Sequence, residues 1–409
     1  MNADSARGVD RRRVLGWGGL TAAGLVAGTP PTGARAGTTD DRIPPDTRPG
    51  GAYDRYVAKL AAEGRFSGVV LLAHRGRTVL SRSYGMADRE RGIRNHEGTA
   101  FSLSSAGKPF VAVAILQLAQ QGRLKLYDTV GTHLTGFTED VADHVTIHHL
   151  LSGTSGMGTP DVDVARVFQS REEVLEYNEQ WARRAKLVAP PGTPSDHAGA
   201  EIAIPALIVQ AVTGMTYWDY VQENIFRRCG MTGTGFFTRP QWLTDEHIAH
   251  PYMTLADGST VDAVRNLDKS SANPRTPGVN PGRAFIDAPG DGGFATAPDL
   301  VRFAQGLADG TVLDRAYAAL FTGAKIPHPP QTQGLRATSA DASFGAYGLP
   351  VHIVNGHWVY DRAGGNPGVG ASWSICPDIG WVGVVLANDD AVPLQEILER
   401  QMQAVLGRS

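Results

Sequence analysis

Residues 101–123 read FSLSSAGKPFVAVAILQLAQQGR, and the rest of the chain is organised around this stretch. It opens on Ser105-Ala106-Gly107-Lys108, a Ser-x-x-Lys unit, and runs into Val111, Val113, Ile115, Leu116 and Leu118. Residues three apart share one face of a helix, so Ser105 Oγ and Lys108 Nζ can meet. A serine hydroxyl is a weak nucleophile at neutral pH until a neighbouring base takes its proton. A lysine at the mouth of a helix that is apolar nearly all round is expected to be buried. Burial lowers its pKa and makes it such a base. The helix N-terminus adds positive potential where an oxyanion would form. The spacing by itself is a weak signal, because a capping serine followed by a solvated lysine gives the same four letters.

The 409 residues suffice for two domains or for one large one with insertions. The composition is that of an ordinary globular protein: 42% hydrophobic, 19% charged, net charge −3, with no basic block beyond the N-terminus. Nothing in it points to nucleic acid. Cys229 and Cys376 stand far apart without metal-ligand spacing and read as free thiols.

Residues 1–36 read as an export signal of the twin-arginine type. Arg11-Arg12-Arg13-Val14-Leu15 precedes a short apolar run from Gly16 to Gly28 and a small-x-small site at Ala34-Arg35-Ala36. This predicts a secreted protein. The run is too short to span a bilayer, and no later segment is long enough, so no membrane span is expected. Residues 37–52, rich in Pro, Thr and Asp, read as a linker.

Beyond the linker, Tyr53–Glu63 is patterned as a helix. Gly68–Ala73 and Thr78–Tyr84 pattern as a hairpin about Arg75-Gly76. Helical pattern fills Arg171–Ala185, Ile202–Val212 and Tyr217–Phe226. Residues 237–289 are rich in Pro, Gly, Asp and Asn, and a loop of that length in a compact enzyme usually rims a site. Pro298–Leu307 is helical. Phe344–Val354, His357–Tyr360, Gly370–Ile375 and Trp381–Leu386 read as antiparallel strands, and Pro393–Leu406 closes the chain as a helix. The fold class is therefore α+β, with one antiparallel sheet built from both termini and a large helical insertion. The expected division is a sheet domain, 53–100 with 297–409, and a mainly helical domain, 101–296. Ser105 falls at their seam, where ligand clefts tend to lie.

Taken with other stretches, the Ser-x-x-Lys unit resembles the serine β-lactamase and penicillin-binding superfamily, in its class C β-lactamase, D-Ala-D-Ala carboxypeptidase and esterase branches. The stretches are Gly68–Leu72, Tyr84–Asp88, Thr146–Gly156, Gly230–Phe236, Gly292–Thr296 with Asp299-Leu300, and Gly364–Gly368. The resemblance runs from about Phe66 to Leu406. It implies a β-lactamase/transpeptidase-like fold and acyl transfer through a serine acyl-enzyme, without a cofactor or metal. The partner it implies is a small-molecule or peptide substrate.

Two family motifs are altered. Counting from Pro191-Gly192 and from Leu207-Ile208-Val209 puts His197 at the tyrosine of Tyr-x-Asn and Gly199 at its asparagine. A neutral imidazole can relay the Ser105 proton to a leaving group. A second register aligns Ser195-Asp196-His197 with a Ser-Asp-Asn unit and makes Ser195 the relay. The third motif, Lys/His-Thr/Ser-Gly, falls on Arg362-Ala363-Gly364. A guanidinium there suits a carboxylate-bearing substrate, and Gly364 lets a ligand approach the strand. Gly365 N–H and Ser105 N–H would form the oxyanion hole. Ester and amide substrates both fit this reading, as do hydrolysis, acyl transfer to another acceptor, and a non-catalytic ligand sensor. His148-His149 suits capping or core packing better than metal binding, and His247 and His250 bring no third ligand. Oligomeric state is not readable.

Overall fold

The strands of this protein carry apolar residues on both faces. Gly68–His74 runs GVVLLAH and Trp381–Ala387 runs WVGVVLA, with every residue buried except the half-buried His74. A strand of that kind needs cover on two sides. The computed structural model, which describes residues 42–195, 199–328 and 340–407, supplies it. These residues form an eight-stranded antiparallel sheet. Its order is Arg77–Tyr84, Gly68–His74, Trp381–Ala387, Val369–Cys376, His357–Asn366, Pro350–Val354, Ala340–Gly345, Ile326–Pro327. The N-terminal hairpin thus pairs with the last strand, Gly68 opposite Ala387 and His74 opposite Trp381.

Alternation along the strands divides the core. Val69, Leu71, Val384 and Leu386 join the large cluster that continues into the helical insertion. Val70, Leu72, Val385 and Ala387 face the other way, onto the helices Ala52–Ala62 and Leu394–Leu406. The helix Ala297–Ala308 packs on the insertion side. The α+β architecture, with a sheet from both ends of the chain, is as expected.

Three details differ. Phe344–Val354 is two strands, broken by a turn in which Ala346 N–H donates to Leu349 O and Gly348 takes φ 75°. The described part of the expected linker is docked. Residues 45–47 form a 3-10 turn, Thr47 is fully buried, and Ile43 packs against the outer core. Residues 237–289 are not one featureless loop: they hold the helix Arg239–Thr244 and the ribbon of Tyr252–Thr254 with Thr260–Asp262. The ribbon is tied to the body by Arg265, which ion-pairs Asp88 and Asp262 around the buried His250. His250 is therefore a structural residue, as is His149, which closes a capping box with Thr146. Cys229 and Cys376 are free. Among the described residues no single helix is long and apolar enough to cross a membrane. The export signal at 1–36, most of the linker and His197 lie outside the described residues.

Candidate active site

Ser105 sits in a tight turn forced by its neighbours. Phe101–Ser102 pairs with Phe294–Ala295, a 3-10 turn follows over Ser104–Gly107, and the α-helix Pro109–Gln120 begins with proline at its first position. Proline suits that position because the N–H it lacks would have no helical partner. In a 3-10 turn the side chains at i and i+3 eclipse, which aligns Ser105 with Lys108 more directly than an α-turn would. From Pro109 to Ala119 every residue of the helix is buried. Lys108, at its mouth, is only 7% exposed, and Ser105 is half-buried.

The turn is held from several directions. Arg362 Nε donates to Ser105 O at 2.9 Å, Trp373 Nε1 to Ala106 O at 2.9 Å, and Ser104 Oγ to Gly365 O at 3.1 Å. On its other flank Leu103 N–H donates to Gly293 O and Gly292 N–H to Ser104 O. Ser104, a non-glycine residue at φ 47°, stores backbone strain of order 1 kcal/mol that these bonds must hold in place. The strand His357–Asn366 lies flush against the turn. A Cβ on Gly364 would stand 2.2 Å from Leu103 O, 2.4 Å from Ala106 N and 2.7 Å from Ser105 N.

Burial holds Lys108 below the ordinary lysine value. Asp291 opposes that shift, Arg362 adds to it, and Glu201 opposes it. Arg362 is likewise lowered by burial against the pull of Asp291 and Asp361. Burial pushes Asp287 up to about 7, although its carboxylate accepts Gly293 N–H at 2.6 Å; nearby Asp291 raises it further. Glu201 (5% exposed) accepts the N–H of Ser155 at 3.0 Å and its Oγ–H at 2.6 Å.

Ser105, Lys108, Arg362, Gly364 and Gly365 are thus brought together from opposite ends of the chain. Arg362 differs from expectation in one respect: its Nε is spent on the carbonyl of Ser105 rather than offered whole to a substrate. Gly199 starts the helix Ala200–Thr213, where a Cβ would stand 2.8 Å from the Trp181 ring. Ser195 is tied into the turn at 153–156, its N–H donating to Gly153 O and its Oγ accepting from Gly156 N. No group of three or more His, Cys, Asp or Glu among the described residues could hold a metal.

Sequence reasoning missed Glu201, Asp287 and Asp291. A signal for Glu201 was present, because it is the lone charge in AEIAIPALIVQAVT, a helix buried through most of its length. The logic that singled out Lys108 applies equally there.

The beta-lactamase family profile matches residues 53–406. PbpX of Bacillus subtilis, assigned as a penicillin-binding protein, is 27% identical over 72% of this chain and 68% of its own length. Esterase EstB of Burkholderia gladioli is 30% identical over 49% of this chain and 53% of its own. The crystal structure of a penicillin-binding protein from Bacillus halodurans superposes with a TM-score of 0.68 at 25% identity, covering 85% of this chain and 98% of that one.

Proposed function

We propose, since this chain belongs to the beta-lactamase family, whose members are serine hydrolases and acyltransferases, that it is a hydrolase acting through a Ser105 acyl-enzyme on a small ester or amide. The observation that carries this reading is the clamped turn. A half-buried serine is held by strand, helix and glycine loop, with a buried lysine one turn on.

Neutral Lys108 takes the Ser105 proton as Oγ attacks the substrate carbonyl and a tetrahedral oxyanion forms. The backbone N–H groups of Ser105 and Gly365 stabilise that oxyanion, by several kcal/mol where the geometry is good. Collapse expels the leaving alcohol or amine, which takes up a proton delivered through His197. Water then attacks the acyl-enzyme and regenerates Ser105. Gly364 lets the Ser105 turn close onto the strand and Gly199 lets the helix close onto Trp181, so neither supplies the substrate room expected of it. Arg362 reaches the substrate only with the donors that Nε leaves over. The partial likeness to an esterase favours an ester substrate.

Incubation with a fluorophosphonate, read by intact mass, tests the nucleophile. A single adduct is expected, absent in Ser105→Ala; an adduct that persists in that variant sinks the assignment. Steady hydrolysis of p-nitrophenyl butyrate, lost in Lys108→Ala, separates an enzyme from a ligand sensor. Product analysis with an added alcohol or amine separates hydrolysis from acyl transfer. His197→Ala and Ser195→Ala, compared for their effect on acylation, the step in which the leaving group takes up its proton, decide which of the two relays it. Export is proposed on the twin-arginine pattern of residues 1–36, and fractionation of an Arg12→Lys, Arg13→Lys variant checks it.

A further inference from the structure

Residues 285–296 read FIDAPGDGGFAT, and this stretch borders the turn that carries Ser105. Asp287 belongs to none of the three motifs, and the reaction proposed above gives it no role. Its main chain is fixed on both sides. Ile286 before it lies in the main core, and Asp287 O accepts Trp218 Nε1–H at 2.9 Å. Just after it the chain turns, with Asp291 N–H donating to Ala288 O at 3.1 Å. The carboxyl therefore starts from an anchored point.

It ends on the glycine loop, where Oδ2 accepts Gly293 N–H at 2.6 Å. Gly292 and Gly293 both have left-handed backbone, at φ 67° and 86°. Glycine enters that conformation at no steric cost and leaves it as readily. A loop of this kind keeps one shape only where its N–H and C=O groups are held. A Cβ on Gly292 would stand 2.4 Å from Asp287 Cγ and 2.5 Å from Oδ2, so the missing side chain is what lets the carboxyl lie so close.

The same two glycines touch the nucleophile turn. Gly293 O accepts Leu103 N–H at 2.8 Å. Gly292 N–H is shared between Ser104 O at 3.2 Å and Asp291 Oδ1 at 3.0 Å. A Cβ on Gly107, between Ser105 and Lys108, would stand 1.9 Å from Gly292 O, so main chain lies directly on main chain. Ser104, at φ 47°, sits between these contacts and Ser105. A residue in that conformation persists only where its surroundings over-determine it.

We propose that Asp287 is a positioning residue: its carboxyl oxygen on Gly293 N–H holds the glycine loop in the shape that sets the Ser105 turn. This rests on the reading of Ser105 as the nucleophile. The site needs an acceptor at this point, not a charge. Burial pushes the carboxyl up to about 7, and both of its forms carry an oxygen that accepts Gly293 N–H. An amide oxygen does the same.

The test is the rate of fluorophosphonate labelling at Ser105, read by intact mass, with urea unfolding beside it so that only folded variants are compared. Asp287→Ala removes the acceptor and should slow labelling towards the order of 100-fold that a 1 Å misplacement at a reacting centre costs. Asp287→Leu fills the same volume without an acceptor, and carries the test if the alanine form does not fold. Asp287→Asn keeps the acceptor and should restore most of the rate, which a loss through packing or charge would not allow. Folded Asp287→Ala or Asp287→Leu labelled as fast as wild type overturns the proposal. So does Asp287→Asn labelled as slowly as they are. In either case, labelling of the wild type at Ser105 leaves the nucleophile reading standing. Wild-type protein that takes up no label overturns that reading, and this inference with it.

Discussion

Replacing Gly364 with alanine puts a methyl carbon where three backbone atoms already stand. At 2.2, 2.4 and 2.7 Å from Leu103 O, Ala106 N and Ser105 N, it meets no flexible side chain that could swing away. Either the strand or the nucleophile turn must retreat by roughly 1 Å to restore ordinary van der Waals spacing. That movement stretches the Arg362–Ser105, Trp373–Ala106 and Ser104–Gly365 hydrogen bonds together, since all three cross the same seam. It also separates the two N–H groups proposed as the oxyanion hole. A misplacement of about 1 Å at a reacting centre costs on the order of 100-fold in rate, and loss of one oxyanion donor costs about as much or more. Overpacking of this kind adds a stability loss of about 1–3 kcal/mol. The assay is kcat/KM for p-nitrophenyl butyrate with urea unfolding beside it. Gly370→Ala is the control, because on the next strand a Cβ makes only ordinary contacts at 3.7 Å with Ala387 and Leu394. A Gly364→Ala protein indistinguishable from wild type in both measurements would refute the reasoning that this strand clamps the nucleophile.

Three further outcomes follow from charges at and behind the site. Asp291→Asn should move the acid limb of kcat/KM to lower pH, because Asp291 holds Lys108 up against burial; an unmoved limb rejects that pairing. Asp287, pushed up to about 7 by burial, binds its proton more tightly in the folded chain than in the unfolded one. Wild-type stability should therefore fall as pH rises from about 4, the unfolded carboxyl value, to about 7. Asp287→Asn should flatten that slope in urea titrations. On the outer face of the sheet His352 pairs with buried Asp361 at 3.5 Å and bonds Ser343 Oγ at 2.8 Å. Burial alone would lower His352, but the nearby Asp361 carboxylate outweighs it and leaves the imidazole raised. Its stabilisation is complete below the unfolded histidine value of about 6.5 and is lost as pH climbs through the higher folded one. Asp361→Asn should abolish that dependence, and chemical denaturation on either side of neutrality reads it.

Much of this protein was determined by local pattern alone. The apolar runs at 68–73 and 381–386 announced strands, and the structure showed them buried on both faces. The all-apolar stretch after Lys108 announced a buried helix, and a charge at its mouth announced chemistry, because burying an ammonium is costly unless something requires it. Those inferences need only neighbours a few residues apart. The tertiary structure decided the rest. Whether Arg362 faces the substrate or the nucleophile's carbonyl depends on the register of its strand against Ser105, which lies 257 positions earlier in the chain. The indole of Trp373 reaches Ala106 across 267 positions, and Glu201 is joined to Ser155 across 46. Partners that distant are selected by packing the whole core at once. A sequence can mark which residues are expensive to bury, and only the fold shows what each of them is buried against.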